Sequence, residues 1–286
     1  RRASGNASSE LIAGDVRLDT RSGRVTLAGE PVKDIDLATK LAPQEVMDRL
    51  QKARIKGVPT GIAHGTVTAV LSSGPVEVTT LRRDVSTDGR RATIAYTDDW
   101  REDAARRDFT INALYADPET GELFDYFGGE SDLAAGLVRF IGEPLQRIAE
   151  DHLRILRFFR FHARFGKGAP DAASLKACAE RANDLMALSR ERIADELLKL
   201  LALPRPVETV ELMLSHGIFL PVLPEISTTT GLAALVAMEE SPDAVRRLAS
   251  LLPANGDVAG AIAKRLKLSK LATKRLVLAY AKLSAA

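Results

Sequence analysis

Residues 65–70 and 76–81 are two runs rich in Val and Thr, separated by Ser-Ser-Gly-Pro at 72–75. β-Branched runs on both sides of such a turn sequence predict a β-hairpin. Because successive side chains of a strand point to opposite faces, Glu77 is alone on the face opposite its valine neighbours. Strand-like segments dominate up to about residue 140, so we predict a β-sheet in the first half of the chain.

From about Leu145 onward, apolar residues recur at the three- and four-residue spacing of helices. Glycine and proline interrupt this pattern at 166–170, 204–206, 221–224 and 253–256, which predicts that helices end there. Five leucines are predicted to lie in the helical core: Leu197, Leu198, Leu200, Leu201 and Leu203. The pattern as a whole predicts an α+β chain in which the sheet comes first and the helices follow.

The composition indicates a globular protein with two domains, since the chain has 286 residues and is 45% hydrophobic. No apolar run approaches the length that predicts a membrane span, and the first ten residues lack the apolar core of a secretory signal. The single cysteine, Cys178, excludes an intramolecular disulfide and favours a reducing compartment, so we expect a cytoplasmic protein. A net charge of only +2 does not indicate a general nucleic-acid binder. The arginines are instead locally dense, which suits a confined site.

Asp34 and Asp36 are separated by one residue, so in a strand their carboxylates point to the same face. Mg²⁺ prefers oxygen ligands and is usually held by one or two carboxylates together with substrate phosphates. The pair therefore suggests metal-assisted phosphoryl transfer, although Asp-x-Asp is also common on solvated loops. Glu77 has two interpretations, an ordinary solvent-facing residue or a third carboxylate beside the pair. The need of two metals for additional ligands favours the third carboxylate.

Adjacent arginines at 106 and 107 precede Asp108 and Asn112. A guanidinium group offers a planar fork of donors that fits phosphate oxygens, so this cluster predicts an anion site. The alternative is the exposed start of a charged helix. In that case the core face of the helix would consist of Ile111, Leu114 and Tyr115.

Residues 147–161 carry charges at helical spacing, and Glu150, Asp151, Arg154 and Arg157 are predicted to form one stripe of a helix. One interpretation is a salt-bridged surface. The other is recognition of a base, because a carboxylate accepts hydrogen bonds and a guanidinium only donates them. Cytosine and adenine present an amino donor beside a ring-nitrogen acceptor, and uracil and guanine present the reverse order. Proteins read bases on this edge, so Asp151 and Arg154 one turn apart would accept C and A.

A series of ordered motifs over residues 31–201 resembles the class II tRNA nucleotidyltransferases. These are the bacterial CCA-adding enzymes, which share their catalytic part with bacterial poly(A) polymerases. The motifs are Asp-Ile-Asp-Leu-Ala-Thr at 34–39, Thr-Gly-Ile-Ala-His-Gly-Thr at 60–66, Glu-Val-Thr-Thr-Leu-Arg at 77–82, Asp-Gly-Arg-Arg at 88–91, Arg-Arg-Asp-Phe-Thr-Ile-Asn-Ala at 106–113, Arg-Ile-x-Glu-Asp-x-x-Arg at 147–154 and Ser-Arg-Glu-Arg-Ile at 189–193.

The resemblance implies the addition of C, C and A to the 3′ end of tRNA from CTP and ATP, without a nucleic-acid template and with release of pyrophosphate. It also implies an α+β fold in three parts. These are a nucleotidyltransferase head with a mixed β-sheet over 1–140, a helical neck with a nucleobase-reading helix over 141–203, and a helical body over 204–286. The family continues into a helical tail that contacts tRNA, whereas this chain ends at Ala286 and starts with Arg1, so a fragment is one interpretation of its length.

The resemblance assigns roles to individual residues. Asp34 and Asp36 would hold two Mg²⁺ ions and, together with Glu77, act in catalysis. Asp151 and Arg154 would form an amino-acid template for C and A, with Glu150 and Arg157 as braces. The other nucleotide-binding residues implied are Gly14, Arg17, Arg107, Asp108 and Asn112.

The chain departs from the family at Gly-Gly-x-x-Arg, for which residues 13–17 read Ala-Gly-Asp-Val-Arg. Glycines of this kind let backbone N–H groups approach a triphosphate, so we expect weaker triphosphate binding here. Two rival functions remain open, a poly(A) polymerase or A-adding enzyme and an RNA-binding protein without catalysis. Residues 84–99 are predicted to form a mobile loop. Within it, Arg90 and Arg91 either close on the nucleotide or are solvated.

Overall fold

A computed structural model describes residues 10–13, 16–19, 24–27, 30–31, 36–72, 74–87, 92–118 and 120–281. The chain divides into two compact units. The first unit comprises residues 1–86, 92–107 and 112–129, and the second comprises residues 87–91, 108–111 and 130–286. The domain boundaries expected at residues 140 and 203 stay predictions.

The first unit begins with a small antiparallel sheet. Its strands follow each other in sequence order and are β1 (Glu10–Ala13), β2 (Val16–Asp19), β3 (Arg24–Leu27) and β4 (Glu30–Pro31). The backbone of Arg17 therefore belongs to a strand that pairs with both neighbours. Gly14 and Asp34 lie outside the described residues, so their predicted roles stay predictions.

A mixed four-stranded sheet forms the main part of the first unit. Its elements are β5 (Asp36–Thr39), helix α1 (Pro43–Lys52), β6 (Lys56–Gly61), β7 (Thr66–Leu71) and β8 (Gly74–Thr80). The strand order is β5-β8-β7-β6. β5 runs parallel to β8, whereas β7 is antiparallel to both of its neighbours. The predicted hairpin is confirmed as β7 and β8.

The sequence of this sheet explains how it packs. Val67 and Ala69 of β7 are buried, as is Val46 on α1, so apolar side chains of both elements are removed from water. Gly65, after the 3₁₀ turn Ile62–His64, has a φ of 81°, a left-handed conformation that favours glycine. Its carbonyl accepts the N–H of Thr80 at 2.9 Å, which joins this turn to the end of β8.

The rest of the first unit corrects one sequence-based expectation. β9 (Arg82–Thr87) and β10 (Ala92–Tyr96) form a two-stranded sheet, so the prediction of a loop over 84–99 was wrong for residues 84–87 and 92–96. Alternating β-branched residues in these flanks favour strand pairing. Arg90 and Arg91 lie outside the described residues. Helix α2 (Trp100–Ala105) follows, and then β11 (Leu114–Ala116) and β12 (Leu123–Asp125) pair antiparallel.

The second unit is helical, as the spacing of apolar residues predicted. Its helices are α3 (Gly129–Ala135), α4 (Pro144–Glu150), α5 (Arg154–Phe165), α6 (Ala172–Glu180), α7 (Arg190–Leu201), α8 (Val207–Ser215), α9 (Thr230–Met238), α10 (Ala244–Leu251), α11 (Gly256–Arg265) and α12 (Lys270–Ala281), with a 3₁₀ segment at Ala182–Ala187. Three of the four predicted breaks fall between helices, and the fourth, at 253–256, ends on the first residue of α11. Among the described residues, no helix is long and apolar enough to cross a membrane.

Aromatic and aliphatic side chains fill the core of the helical unit. The ring centroid of Phe109 lies 5.0 Å from the ring centroid of Phe140 and 5.1 Å from that of Phe161, and all three side chains are buried. Of the five leucines predicted to be core, Leu197, Leu200 and Leu201 are buried and the other two are partly buried. A fully buried leucine contributes about 1.5–3 kcal/mol, so this face of α7 contributes much of the stability.

Candidate active site

Two carboxylates meet on neighbouring parallel strands of the mixed sheet. Asp36 on β5 is in register with Glu77 on β8, and both side chains are exposed. Strands that pair in this way are about 4.8 Å apart, so in-register side chains on one face are immediate neighbours. Glu77 therefore lies next to Asp36 and is exposed to solvent, and its role as a third carboxylate of the site stays a prediction.

These carboxylates line a cavity of about 880 Å³ in the first unit. Alternation along the strands also brings Ala38 and Thr79 to the cavity, and Asn112 of the 3₁₀ turn Thr110–Asn112 lines it as well. Arg107 also lines this cavity. A cavity lined by carboxylates of the sheet and by guanidinium groups is suited to a ligand that carries both a metal ion and an anion.

Asp103, near the end of α2, organises the basic wall of this cavity. Its Oδ1 accepts the backbone N–H of Arg82 at 3.0 Å and Nε–H of Arg106 at 2.9 Å. Its Oδ2 accepts Nη2–H of Arg107 at 3.2 Å and the phenol of Tyr115 at 2.5 Å. Asp103 is only 1% exposed. A single buried carboxylate therefore connects four groups around the cavity.

The charges around Asp103 shift its acidity and that of its partners. Burial opposes ionisation of Asp103, but the charge of Arg106, the hydrogen bond from Tyr115 and the charge of Arg107 prevail, so its pKa is lowered. Burial and the hydrogen bond to Asp103 raise the pKa of the Tyr115 phenol. Burial acts against the charge of Arg107, yet Tyr115 and Asp103 together raise its pKa. This part of the cavity lining consequently contains the ionised Asp103 carboxylate, the charged Arg106 and Arg107 and the neutral phenol of Tyr115.

The chemistry of the carboxylates fits magnesium. Asp36 and Glu77 offer hard oxygen donors on one face of the sheet, which is the donor type that Mg²⁺ binds. Within the described ranges, no group of three or more His, Cys, Asp or Glu side chains forms a complete set of metal ligands. Two protein carboxylates are enough when substrate phosphates complete the coordination.

The charged stripe in the second unit is not on one continuous helix, which corrects the sequence-based prediction. α4 ends at Glu150 and α5 begins at Arg154, while Asp151 is extended with φ −152° and ψ 107°. The Asp151 carboxylate accepts the N–H of Leu153 at 3.1 Å. Aspartate competes with helical hydrogen bonding in this way, which explains the break. A backbone bond from Arg154 N–H to the Asp151 carbonyl, 3.0 Å long, keeps the two residues within one turn.

Glu150 binds the arginines on either side of the break. Its Oε2 accepts Nη1–H of Arg154 at 2.5 Å and Nη1–H of Arg147 at 2.6 Å. Arg154 also donates to the carbonyl of Arg147 at 2.9 Å. The Arg154 side chain is only 11% exposed, so its orientation is set by these contacts.

Asp151 and Arg157 have partners from other segments. Nη2–H of Arg192 on α7 donates to Oδ2 of Asp151 at 2.7 Å. Nε–H of Arg157 donates to Oδ2 of Asp108 at 2.5 Å, and burial of Arg157 is outweighed by this carboxylate, which raises its pKa. Asp108 thus belongs to the charged cluster of the second unit, which consists of Asp108, Arg147, Glu150, Asp151, Arg154, Arg157 and Arg192.

The structure separates some predicted site residues. Arg107 lines the cavity of the first unit, whereas Asp108 pairs with Arg157 in the second. The alternative of a charged helix start at 106 is wrong, because α2 ends at Ala105 and the chain continues into a 3₁₀ turn and β11.

Three residues of the two sites were missed by sequence reasoning: Asp103, Tyr115 and Arg192. Asp103 lies three and four residues before the paired arginines, which is the spacing of helical ion pairs and could have revealed it. Tyr115 was considered only as a core residue of a helix. Arg192 is distant in sequence from Asp151, so no local spacing indicates their contact.

Two protein families match consecutive parts of the chain. The Poly A polymerase head domain matches residues 22–139. The family described as the probable RNA and SrmB-binding site of polymerase A matches residues 169–229. The first match contains the carboxylates of the cavity, and the second contains Arg192.

Proteins that are similar in sequence to this chain have names that agree with one another. The human mitochondrial CCA tRNA nucleotidyltransferase 1 is 40% identical over 270 residues, which are 90% of this chain and 60% of that protein. The CCA-adding enzyme of Anoxybacillus flavithermus is 36% identical over 204 residues, 71% of this chain and 50% of that protein. The chain therefore spans about half to three fifths of the length of these curated relatives.

A solved structure extends the likeness to the fold. The crystal structure of the Bacillus stearothermophilus CCA-adding enzyme in complex with CTP superposes with a TM-score of 0.73 at 28% identity. The match covers 90% of this chain and 63% of the other. In its two matching domains, its relatives and its fold, the chain is therefore similar to the CCA-adding enzymes and to the polymerase A family.

Proposed function

We propose that this chain is the nucleotide-transferring and base-reading part of an enzyme that adds C, C and A to the 3′ end of tRNA from CTP and ATP. The observation that carries the proposal is the in-register pair of Asp36 and Glu77, which lines one cavity together with Arg107. Relatives of similar sequence are named CCA tRNA nucleotidyltransferase and CCA-adding enzyme.

In the proposed reaction, the 3′-hydroxyl oxygen of the RNA attacks the α-phosphorus of the nucleotide. A new P–O bond forms, the bond to the β-phosphate oxygen breaks, and pyrophosphate leaves with the electron pair. Asp34, Asp36 and Glu77 would hold two Mg²⁺ ions, which when bound favour deprotonation of the hydroxyl and neutralise the triphosphate. Arg107 donates hydrogen bonds to phosphate oxygens, and Asn112 adds a neutral polar group to the same wall.

The second unit would supply selection of the base. The Asp151 carboxylate accepts the amino group of cytosine or adenine, and Arg154 donates to the adjacent ring nitrogen. With uracil or guanine, the Asp151 carboxylate would face a carbonyl acceptor and Arg154 would face an N–H donor. A site built on hydrogen bonds discriminates against such a ligand by a factor of about 10⁴ or more. Glu150 and Arg192 hold the pair in position through the contacts described above.

The test is incubation of the chain with each nucleotide triphosphate and with tRNA that lacks one, two or three terminal nucleotides. Sequential addition that stops after the final A supports CCA addition. Products extended by A alone indicate an A-adding enzyme, and long tails indicate poly(A) synthesis. If no substrate is extended in the presence of Mg²⁺, the chain has no transferase activity of its own and the proposal fails.

Two substitutions separate chemistry from base selection. Asp36→Asn should abolish all addition, because the carboxylate next to Glu77 is lost. Asp151→Ala should retain metal-dependent transfer but lose the preference for CTP and ATP over UTP and GTP. Selectivity that is unchanged in Asp151→Ala would mean that the cluster is only structural. The cytoplasmic location stays a prediction, since one of the relatives is mitochondrial.

A further inference from the structure

The cavity that contains the carboxylates is lined by a residue that does not itself fit a negatively charged substrate. Asp103 carries a negative charge, is 1% exposed and lines the same cavity as Arg107. A carboxylate in this place would repel a triphosphate if it were a direct ligand. Its hydrogen bonds indicate a different role.

The two oxygens of Asp103 have separate partners. Oδ1 joins the start of β9 to α2, since it accepts the backbone N–H of Arg82 and Nε–H of Arg106. Oδ2 accepts hydrogen bonds from Arg107 and Tyr115, two side chains that line the cavity. One oxygen therefore connects α2 to the start of β9, and the other holds two side chains that a ligand in the cavity would meet.

Arg107 is the group most affected by this arrangement. Its side chain is 35% exposed, and among the described residues its buried Nε has no hydrogen-bond partner. The centre of its guanidinium lies 5.9 Å from the centre of the Tyr115 ring, whose hydroxyl is in turn held by Asp103. Asp103 thus constrains the guanidinium of Arg107 directly, at Nη2, and constrains the neighbouring Tyr115 ring through its hydroxyl.

We propose that Asp103 is a positioning residue that presets the guanidinium of Arg107, with Tyr115 as its support, to receive the triphosphate of the incoming nucleotide. The proposal rests on the proposed function and adds to it the device that orients the phosphate ligand. A preset fork loses less rotamer freedom when it forms hydrogen bonds, so the benefit is specific to ligands that carry the terminal phosphates.

The test compares equilibrium binding of CTP and CMP to the whole chain by calorimetry in the presence of Mg²⁺, with the folded state of each variant checked by circular dichroism. Asp103→Asn keeps an oxygen for Arg82 and Arg106 and directs an amide N–H₂ at Arg107. The ratio of CTP affinity to CMP affinity should fall about tenfold in this variant. In turnover assays KM for CTP should rise, while kcat changes by less than about threefold.

Asp132 supplies a matched control in the second unit. It is 5% exposed and its Oδ2 accepts both Thr110 Oγ1–H and Arg139 Nε–H at 2.6 Å, but it does not line the cavity. Asp132→Asn should lower the melting temperature without changing the CTP-to-CMP ratio. A ratio in Asp103→Asn as high as in the wild type would overturn the proposal, whatever its stability.

Tyr115→Phe keeps the test decisive if Asp103→Asn does not fold. It removes one hydrogen bond to Oδ2 and leaves the Asp103–Arg107 pair, so the ratio should fall by about two- to fivefold. An unchanged ratio in this variant also refutes the proposal. Failure of the proposed function is distinct, because then the wild-type chain neither discriminates CTP from CMP nor extends tRNA.

Discussion

Replacement of Arg192 by Ala tests whether Asp151 reads the base as part of a constrained pair. Arg192 Nη2 lies 2.7 Å from Asp151 Oδ2, and the two side chains are 32% and 29% exposed. Ion pairs this accessible contribute about 0.2–1 kcal/mol to stability, so the fold should tolerate the change. Without Arg192, Oδ2 is free to turn away from the amino group of the base. Discrimination of CTP from UTP should fall about tenfold, which corresponds to about 1.4 kcal/mol.

The measurement is kcat/KM for a single addition of CTP and of UTP to tRNA that lacks its last three nucleotides. Arg265→Ala is the matched control, because Arg265 forms an ion pair with Glu225 at 2.6 Å, with side chains 37% and 23% exposed. This pair joins α11 to the segment before α9 and makes no contact with Asp151. Equal discrimination in the two variants, with equal loss of stability, would refute the argument that Arg192 orients Asp151.

Three further predictions follow from the two units. Asp36→Asn should lower kcat for nucleotide addition at least about 10³-fold. Its thermal unfolding should shift little, since substitutions at exposed positions change stability by about 0.5 kcal/mol or less. Near-normal turnover would exclude Asp36 from catalysis. Arg247→Leu should cost about 2–4 kcal/mol in urea unfolding, because Arg247 is 1% exposed and its loss leaves the Glu239 carboxylate with Arg246 as its remaining ion-pair partner and removes the donor to the carbonyl of Leu201; a loss below about 1 kcal/mol would contradict this. Because the pKa of Asp103 is lowered in the folded state, its ionisation stabilises the fold at pH values above the ordinary aspartate pKa of 3.8. This stabilisation is lost as pH falls through the folded-state pKa. The free energy of unfolding measured from about pH 6 down to pH 3 should therefore depend less on pH in Asp103→Asn than in the wild type.

The parts of the fold that the sequence predicted are those with strong local periodicity. The hairpin of β7 and β8 follows from β-branched runs on both sides of a turn, and the helix ends follow from glycine and proline. Predictions from local spacing were wrong where the side chain of one residue interrupts the predicted element. The charged stripe at 150–157 has helical spacing throughout, but the Asp151 carboxylate binds a backbone N–H and interrupts the helix. The strands on both sides of 88–91 were missed because polar residues between them resemble a loop.

The candidate site was predictable to the extent that its residues share a strand or a turn of helix. Asp36 was identified from its spacing to Asp34, and the face of Glu77 was identified from alternation. That Asp36 and Glu77 are in register depends on parallel pairing between β5 and β8, which sequence spacing does not specify. The contact of Arg192 with Asp151 spans forty-one positions and depends on the packing of α5 and α7.

The break between α4 and α5 means that Asp151 lies in a three-residue step, residues 151–153, whereas Arg154 is the first residue of α5. One residue inserted beside His152 would lengthen this step and change where Arg154 lies relative to Asp151. Both helices would remain intact, yet the donor and acceptor would no longer face the same direction. In the proposed function, the length of this step, rather than the helical content around it, would set which bases the pair can match.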